Sequence, residues 1–235
     1  MPVKKTYADH GDACRTAHAM ELISEHWAYI VIRELFLGPK RFSELQSSAH
    51  GITPAVMTTR LRSLEDRGIL ESRELDPPAR VKVYELTAWG HELEPIMHAL
   101  GRWAQRSPTV PASGGLTPDA AVLAMRSMAS NTRLARGVQI QLRLSDVRGR
   151  QLSTYDYALE CNSRGLRISR GSLEHPDARI DTVATDWAAA VFDDAPLPGG
   201  AVSGSRGEVE RLLKSLRQEV AANANRVGEG LAGNT

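Results

Sequence analysis

The sequence predicts a mixed α+β protein of two domains. Three observations carry that reading. Apolar residues recur at helical spacing from Ala13 to Gly68, and the period then drops to 2 over residues 69–87. An uncharged stretch rich in Ser, Pro and Gly at 107–118 precedes a second half of strand-like segments set between helices. A length of 235 residues suits two domains, here 1–106 and 119–235 joined by the linker 107–118. Hydrophobic residues at 42% are enough for two packed cores. A net charge of +1 excludes a protein that coats nucleic acid or membrane through bulk charge, so any phosphate contact has to come from local placement. The two cysteines cannot build a disulfide framework. With no signal-peptide pattern and no apolar run near the length of a membrane span, the chain is expected to be soluble and cytoplasmic, without membrane contact.

The first domain opens on a polar segment. A helix follows from Ala13 to about Ser24, its stripe taking Cys14, Ala17, Met20, Leu22 and Ile23. Ser24 is placed to cap a second helix, EHWAYIVIRELFLG, with Trp27, Ile30, Val31, Leu35 and Phe36 inward and Gly38-Pro39 as its stop. A short third helix over 41–50 turns Phe42 and Leu45 inward. The turn His50-Gly51-Ile52-Thr53 then leads into a fourth helix that ends at Gly68, giving a helix-turn-helix. On that fourth helix Met57, Leu61 and Leu64 share one stripe, while Ala55, Thr59, Arg62 and Asp66 lie opposite, flanked by Thr58 and Ser63. Thr53 is the natural N-cap and Pro54 the first helical residue, because proline has no N–H to leave unpaired. A small, hydroxylated face with one guanidinium fits a major groove, where Arg meets guanine and the methyls of Ala or Thr meet thymine. The expected base-facing set is Pro54, Ala55, Thr58, Thr59 and Arg62, with Thr53 counted in the DNA-binding site as the cap of this helix.

ILESREL and RVKVYELT alternate at period 2 around the Pro-rich turn DPPA, which makes a hairpin. A helix-turn-helix followed by a hairpin is a winged helix. Arg80 and Lys82 at the tip, with Arg41 before the third helix, are expected to meet phosphate. From Thr87 to about Arg106 one further helix aligns Leu93, Ile96, Met97, Leu100 and Trp103. That stripe lies beyond the compact helix-turn-helix, so its expected cover is a second copy of the chain, and a homodimer would read a palindromic double-stranded DNA operator.

Residues 14–104 resemble the winged-helix regulators of the HxlR family, a bacterial group related to MarR. The resemblance rests on Trp27 with the IRELFLGPKRFSEL run, on GITPAVMTTRLRSLEDRGIL, and on VYELTAWGHELEPIMHALGRWA. It implies a dimeric transcription factor, commonly a repressor. Two departures stand out. Glu25-His26 replaces the Gly-Lys that many members carry before this Trp, and Arg15 replaces the proline that tends to follow the N-terminal cysteine. Some members use that cysteine to sense oxidants or electrophiles, which makes Cys14 a candidate redox sensor; a small residue facing the dimer helices is the alternative.

After the linker comes a helix over 119–132, then strand-like GVQIQLRL, QLSTYDYALEC, GLRISRG and ARIDTVA joined by turns and expected to run antiparallel. A short helix capped by Thr185 buries Trp187 and Val191, a last one turns Val209, Leu212, Leu213 and Leu216 inward, and the final dozen residues read as loose. The segments LRISRGSLEHPDARIDTVATDWAAAVF and GAVSGSRGEVERLLKSL resemble the sterol carrier protein type 2 domain. The resemblance implies a C-terminal α/β sandwich with an apolar tunnel between sheet and helices, and an apolar small-molecule effector as its occupant. The candidate lining is Leu123 and Met128 on the first helix, Leu142, Leu144, Tyr157 and Leu159 on the strands, and Trp187, Val191 and Leu212 on the later helices.

Catalytic signatures are absent from the sequence. The seven histidines form no HExxH or Cys-rich arrangement, and His91 and His98 suit a polar helix face better than a metal site. Adjacent pairs such as Glu65-Asp66 and Asp193-Asp194 point different ways and make poor acid–base partners. No cofactor, metal or enzymatic activity is expected. The rival reading is a carrier or sequestering protein for an apolar ligand whose winged helix serves dimerisation or protein contact. A third makes the second half a degenerate acyltransferase-like domain.

Overall fold

The structure is a computed structural model that describes residues 5–78, 80–105, 107–109, 114–149 and 152–232, with side chains up to residue 224. The chain divides into two compact units, Met1–Glu94 and Pro95–Thr235.

The first unit runs α1 (Arg15–Ile23), α2 (Ala28–Leu35), β1 (Lys40–Arg41), α3 (Phe42–Ser48), α4 (Pro54–Asp66), β2 (Leu70–Glu74), β3 (Lys82–Leu86) and α5 (Ala88–His91), after one 3-10 turn at Ala8–His10. Its core gathers Ala28, Val31, Ile32 and Leu35 of α2, Leu45 of α3, Met57, Leu61 and Leu64 of α4, and Ile69 and Leu70 at the wing's base, all fully buried or nearly so. Each such Leu or Ile is worth about 1.5–3 kcal/mol of transfer free energy, so the helix-turn-helix and the wing share one hydrophobic centre. The wing is an antiparallel sheet of order β1-β3-β2, with Lys40 opposite Tyr84, Arg41 opposite Val83, and Leu70 opposite Leu86. Strand β1 was not expected from the sequence. Two residues carry no period.

Two expectations need correction here. Ser24 does not cap the second helix but closes α1, donating its N–H to Met20 O; α2 starts after Trp27, whose backbone takes the left-handed conformation at φ 75. The helix expected over 87–106 is two pieces, α5 and α6 (Leu93–Ala104), separated at Glu92. Pro95 is the physical reason. It has no N–H to give His91 O, and its ring crowds that carbonyl, so a continuous helix cannot pass and Pro95 falls in the first turn of a new one. In α6, Met97 is buried while Ile96, Leu100 and Trp103 are exposed, and no residue of α1 is buried.

The second unit adds α7 (Pro118–Met128), β4 (Val138–Asp146), β5 (Ser153–Asn162), β6 (Gly165–Arg170), β7 (Ala178–Val183), α8 (Ala184–Phe192), β8 (Val202–Gly204) and α9 (Arg206–Ala232). The sheet order is β6-β5-β4-β7-β8. One face is apolar: Val138, Ile140, Leu142 and Leu144 of β4, Tyr157 and Leu159 of β5 and Ile180 of β7 are buried, and α7, α8 and α9 pack on that side. The opposite face carries Gln139, Arg143, Asp156, Arg179 and Asp181. The antiparallel expectation fails for one pair, since β7 lies parallel to β4, Leu142 opposite Ile180. No tight turn joins β6 to β7. The chain instead crosses to the far side of β4, and Gln141 holds the crossing by accepting from Leu173 N at 2.7 Å and donating to Gly171 O at 3.4 Å and Tyr157 O at 3.2 Å.

At the ends of the helices, Thr117 Oγ1 accepts from Ala120 N at 3.0 Å and so caps α7. Of the stretch expected as a linker, residues 110–113 lie outside the described residues, and Thr117 and Pro118 are buried at the start of α7. Thr185 does not cap α8, whose N-cap is Val183, because the strand runs directly into the helix with no polar residue at the junction. Helix α9 continues to Ala232, past the point where the sequence reads as loose. Asp119, fully buried in the first turn of α7, accepts from Tyr157 Oη at 2.6 Å and pairs with Arg170, whose guanidinium lies 4.5 Å from the Tyr155 ring centre. That cluster ties α7 to strands β5 and β6.

Candidate nucleic-acid interface

Helix α4 is defined at both ends by its own sequence. Thr53 Oγ1 accepts from Val56 N at 3.3 Å, with Pro54 as the first helical residue. At the other end Gly68, at φ 69, donates to Glu65 O at 2.9 Å and Ile69 N donates to Leu64 O at 3.0 Å. This is a Schellman closure, sealed by the buried pair Leu64 and Ile69. Between these ends Met57, Arg60, Leu61 and Leu64 face inward.

Outward lie Pro54, Ala55, Thr59, Arg62 and Asp66, all exposed, with Thr58 and Ser63 half-buried on the flanks. This matches the face expected from the period. Val56, not singled out from the sequence, is also 41% exposed. Thr58 Oγ1 donates to Pro54 O at 2.9 Å and Thr59 Oγ1 to Ala55 O at 3.0 Å.

A second feature of α4 went unread in the sequence: two arginines clamp it to the α1–α2 connection. Arg60 Nε donates to His26 O at 3.0 Å and its Nη1 pairs with Glu25. Arg67 Nη1 donates to Leu22 O at 2.7 Å and its Nη2 to Glu25 Oε1 at 3.0 Å. Burial, and then the nearby Arg67 charge, hold the Arg60 guanidinium below its ordinary pKa. The signal was available, for Arg60 sits three residues after Met57 and four before Leu64, on the apolar stripe, where a charge has to find a partner. Glu25, one of the departures from the family pattern, is that partner.

The expected phosphate contacts are exposed. Arg41 stands opposite Val83 in the wing sheet, and Lys82 Nζ lies 5.2 Å from the Tyr84 ring centre. Arg80 is exposed at the wing tip, next to Ala79, which is outside the described residues. Helix α4 packs on α2 and β2 of the same unit.

Cys14 is exposed at the N-cap of α1, donating its N–H to Asp12 Oδ1 at 2.8 Å. A cavity of about 250 Å³ adjoins it, walled by Tyr7, Asp12, Arg15, His18 and Glu21 among others. In the second unit Leu123, Met128, Leu142, Leu144, Tyr157, Leu159, Trp187, Val191 and Leu212 are all buried between sheet and helices. None of the nine lines the open groove of about 270 Å³ between the Pro196–Pro198 segment and α9. The Trp187 indole N–H, inside that core, meets no acceptor among the described residues. Among the described residues no cluster of His, Cys, Asp and Glu could hold a metal, and no helix is long and apolar enough to cross a membrane.

Residues 22–110 match the family model for the HxlR-like helix-turn-helix. The chain is 40% identical over 96 residues to the HTH-type transcriptional regulator sll1512 of Synechocystis sp., an alignment that takes in 39% of this chain and 70% of that protein. It is 34% identical over 89 residues to the HTH-type transcriptional regulator YodB of Bacillus subtilis, 37% of this chain and 79% of that protein. With the HTH-type transcriptional regulator YybR, also of Bacillus subtilis, identity is 32% over 111 residues, 47% of this chain and 88% of that protein. A capped α4 with a small outward face, a wing sheet beside it, and relatives matched over most of their own length lead to one conclusion: the chain belongs to the HxlR-like helix-turn-helix family.

Proposed function

We propose that this protein is a DNA-binding transcriptional regulator, a repressor that binds a palindromic operator as a homodimer and answers to an apolar small molecule held in its C-terminal unit. The observation that carries the DNA-binding part is the outward face of α4. Over the first two turns that face is exposed and holds no acidic side chain, and it shares a unit with the exposed cations Arg41, Arg80 and Lys82. Major-groove reading needs this combination of a narrow apolar face and flanking cations.

Dimerisation is supported by the apolar surface the single chain leaves in water. Ile96, Leu100 and Trp103 on α6 are 51%, 42% and 70% exposed, at helical spacing. An uncovered stripe of that size is an interface in search of its second copy. Leu100→Glu should turn a dimer into a monomer in sedimentation equilibrium.

The C-terminal unit, with three helices on one face of a mixed sheet, is read as a sterol-carrier-type module. The unsatisfied indole N–H of Trp187 supports a polar oxygen of an otherwise apolar ligand as its partner, because buried donors are rarely left unpaired. Cys14 is read as a thiol that modulates DNA binding. If Cys14→Ser leaves the response of DNA binding to diamide unchanged, that role is wrong. No catalytic step belongs to this reading.

The deciding experiment is footprinting of the purified protein on the DNA upstream of its own gene, with and without fatty acyl and sterol-like ligands, alongside titration of Trp187 fluorescence. A protected site with twofold symmetry, weakened by one ligand class, is the expected result. No protection at any sequence would overturn the DNA-binding reading; protection indifferent to a broad apolar panel would leave the C-terminal unit a structural role.

A further inference from the structure

The hydrogen bonds inside α4 narrow what its exposed face can say to a base pair. A threonine in a groove can act through its O–H or through its methyl. Here the hydroxyl protons are already used, Thr58 Oγ1 on Pro54 O and Thr59 Oγ1 on Ala55 O, one turn back along the same helix. Such a bond selects the side-chain rotamer, so the Cγ2 methyl is fixed before any DNA arrives. Around these two stand Pro54, Ala55 and Val56, exposed and without a polar side-chain atom. Arg60, which the sequence would allow as a second reader, is turned inward onto His26 O and Glu25. Arg62 is left as the exposed guanidinium of the face.

Of the four bases, thymine alone presents a methyl group in the major groove. We infer that α4 reads its operator chiefly through thymine 5-methyl groups, met by Ala55, Val56 and Thr59 with Thr58 at the flank, while Arg62 makes one hydrogen-bonded contact to a purine. This specificity rests on the DNA-binding reading above. It also gives Val56 a role, since a half-exposed valine at the start of a helix is otherwise apolar surface left in water.

The test uses the full-length protein. A duplex is selected from a random double-stranded pool, then remade with deoxyuridine at each thymine of the half-sites, which removes the methyl and keeps the pairing. Loss of one buried methyl contact corresponds to about three- to fourfold in affinity, so several together should weaken binding by roughly 10- to 100-fold. Thr59→Ser, which keeps the hydroxyl and drops the methyl, should weaken binding to the thymine duplex and shrink the uracil penalty. Thr59→Val keeps the methyl and should retain both affinity and penalty. Val56→Ala should also shrink the penalty. Unchanged affinity for the uracil duplex would overturn methyl reading and leave DNA binding standing. A full penalty that neither Thr59→Ser nor Val56→Ala alters would move the contact off α4 and overturn the assignment. Failure to select any duplex would overturn both the inference and the function it rests on.

Discussion

Lys40 is a fully buried charge in the first unit, and replacing it gives the sharpest test of how that unit is held together. Its side chain is 0% exposed and that of its partner Glu34 is 1%; Lys40 Nζ lies 2.5 Å from Glu34 Oε2 and 3.5 Å from Ser48 Oγ. At an effective dielectric of about 20, charges at that separation attract by about 7 kcal/mol, but stripping water from both ions consumes most of it. The net value of the pair against apolar replacements is therefore small, while the cost of orphaning one ion is about 3–5 kcal/mol. Glu34 keeps Arg33, with Nε at 3.1 Å and Nη2 at 2.9 Å from Oε1. Lys40→Met should accordingly fall at the low end, about 3 kcal/mol, and Glu34→Gln, which takes the carboxylate charge from Lys40 and Arg33 alike, at the high end. The double variant should cost less than either single one. Hydrogen exchange across residues 28–48 under urea reads the stability of this unit alone, which a whole-chain melt of two units would blur. If Lys40→Met loses less than about 1 kcal/mol, or if the two single losses simply add, the coupled-pair account is wrong.

Arg62→Ala should cost about 1–3 kcal/mol of operator binding and relax specificity at one base pair, whereas Lys82→Ala should weaken all sequences alike and lower the salt slope by about 1, both read by titration at several salt concentrations. Gly90→Ala should destabilise the first unit by about 3 kcal/mol, read by the same hydrogen exchange under urea. The added Cβ would lie 2.0 Å from Ile69 O, a backbone carbonyl that cannot retreat without losing its bonds from Thr87 N and Oγ1. Burial, and then the Arg102 charge, hold the His98 imidazole below its usual pKa of 6.5. The unfolded chain therefore binds the proton first; stability is intact above that value and falls as pH drops through it. His98→Gln should flatten that slope in urea midpoints measured between about pH 7.5 and 5.

What could be read from the sequence was what is local. The N-cap Thr53, the stop at Gly68, the buried stripe of α4 and the alternation of the wing strands are set by residues within a turn or two of one another. Arg60 was legible in principle, as a charge on an apolar stripe, and was passed over. Burial of Lys40 was not legible, because it follows from β1 pairing with β3, forty residues away in the chain. The parallel partnership of β4 and β7 is likewise a property of the crossing chain and leaves no mark on either strand. In the second unit the nine residues proposed to line a cavity are buried, but apolar periodicity is the same for a packed core and for a pocket wall.

The order β6-β5-β4-β7-β8 carries a consequence for how the second half is made. Strands β4, β5 and β6 form a meander that can zip through two neighbouring hairpins, but β7 joins only after the chain has traversed the sheet, and Leu212 and Leu216 of α9 arrive last of all. During synthesis the greasy side of that meander, Leu142 and Tyr157 included, emerges from the ribosome with α7 but before α8 and α9 can complete its cover. Chains shortened ahead of residue 206 should therefore clump rather than accumulate as soluble protein, and any attempt to divide this regulator into working halves has to keep its final helix.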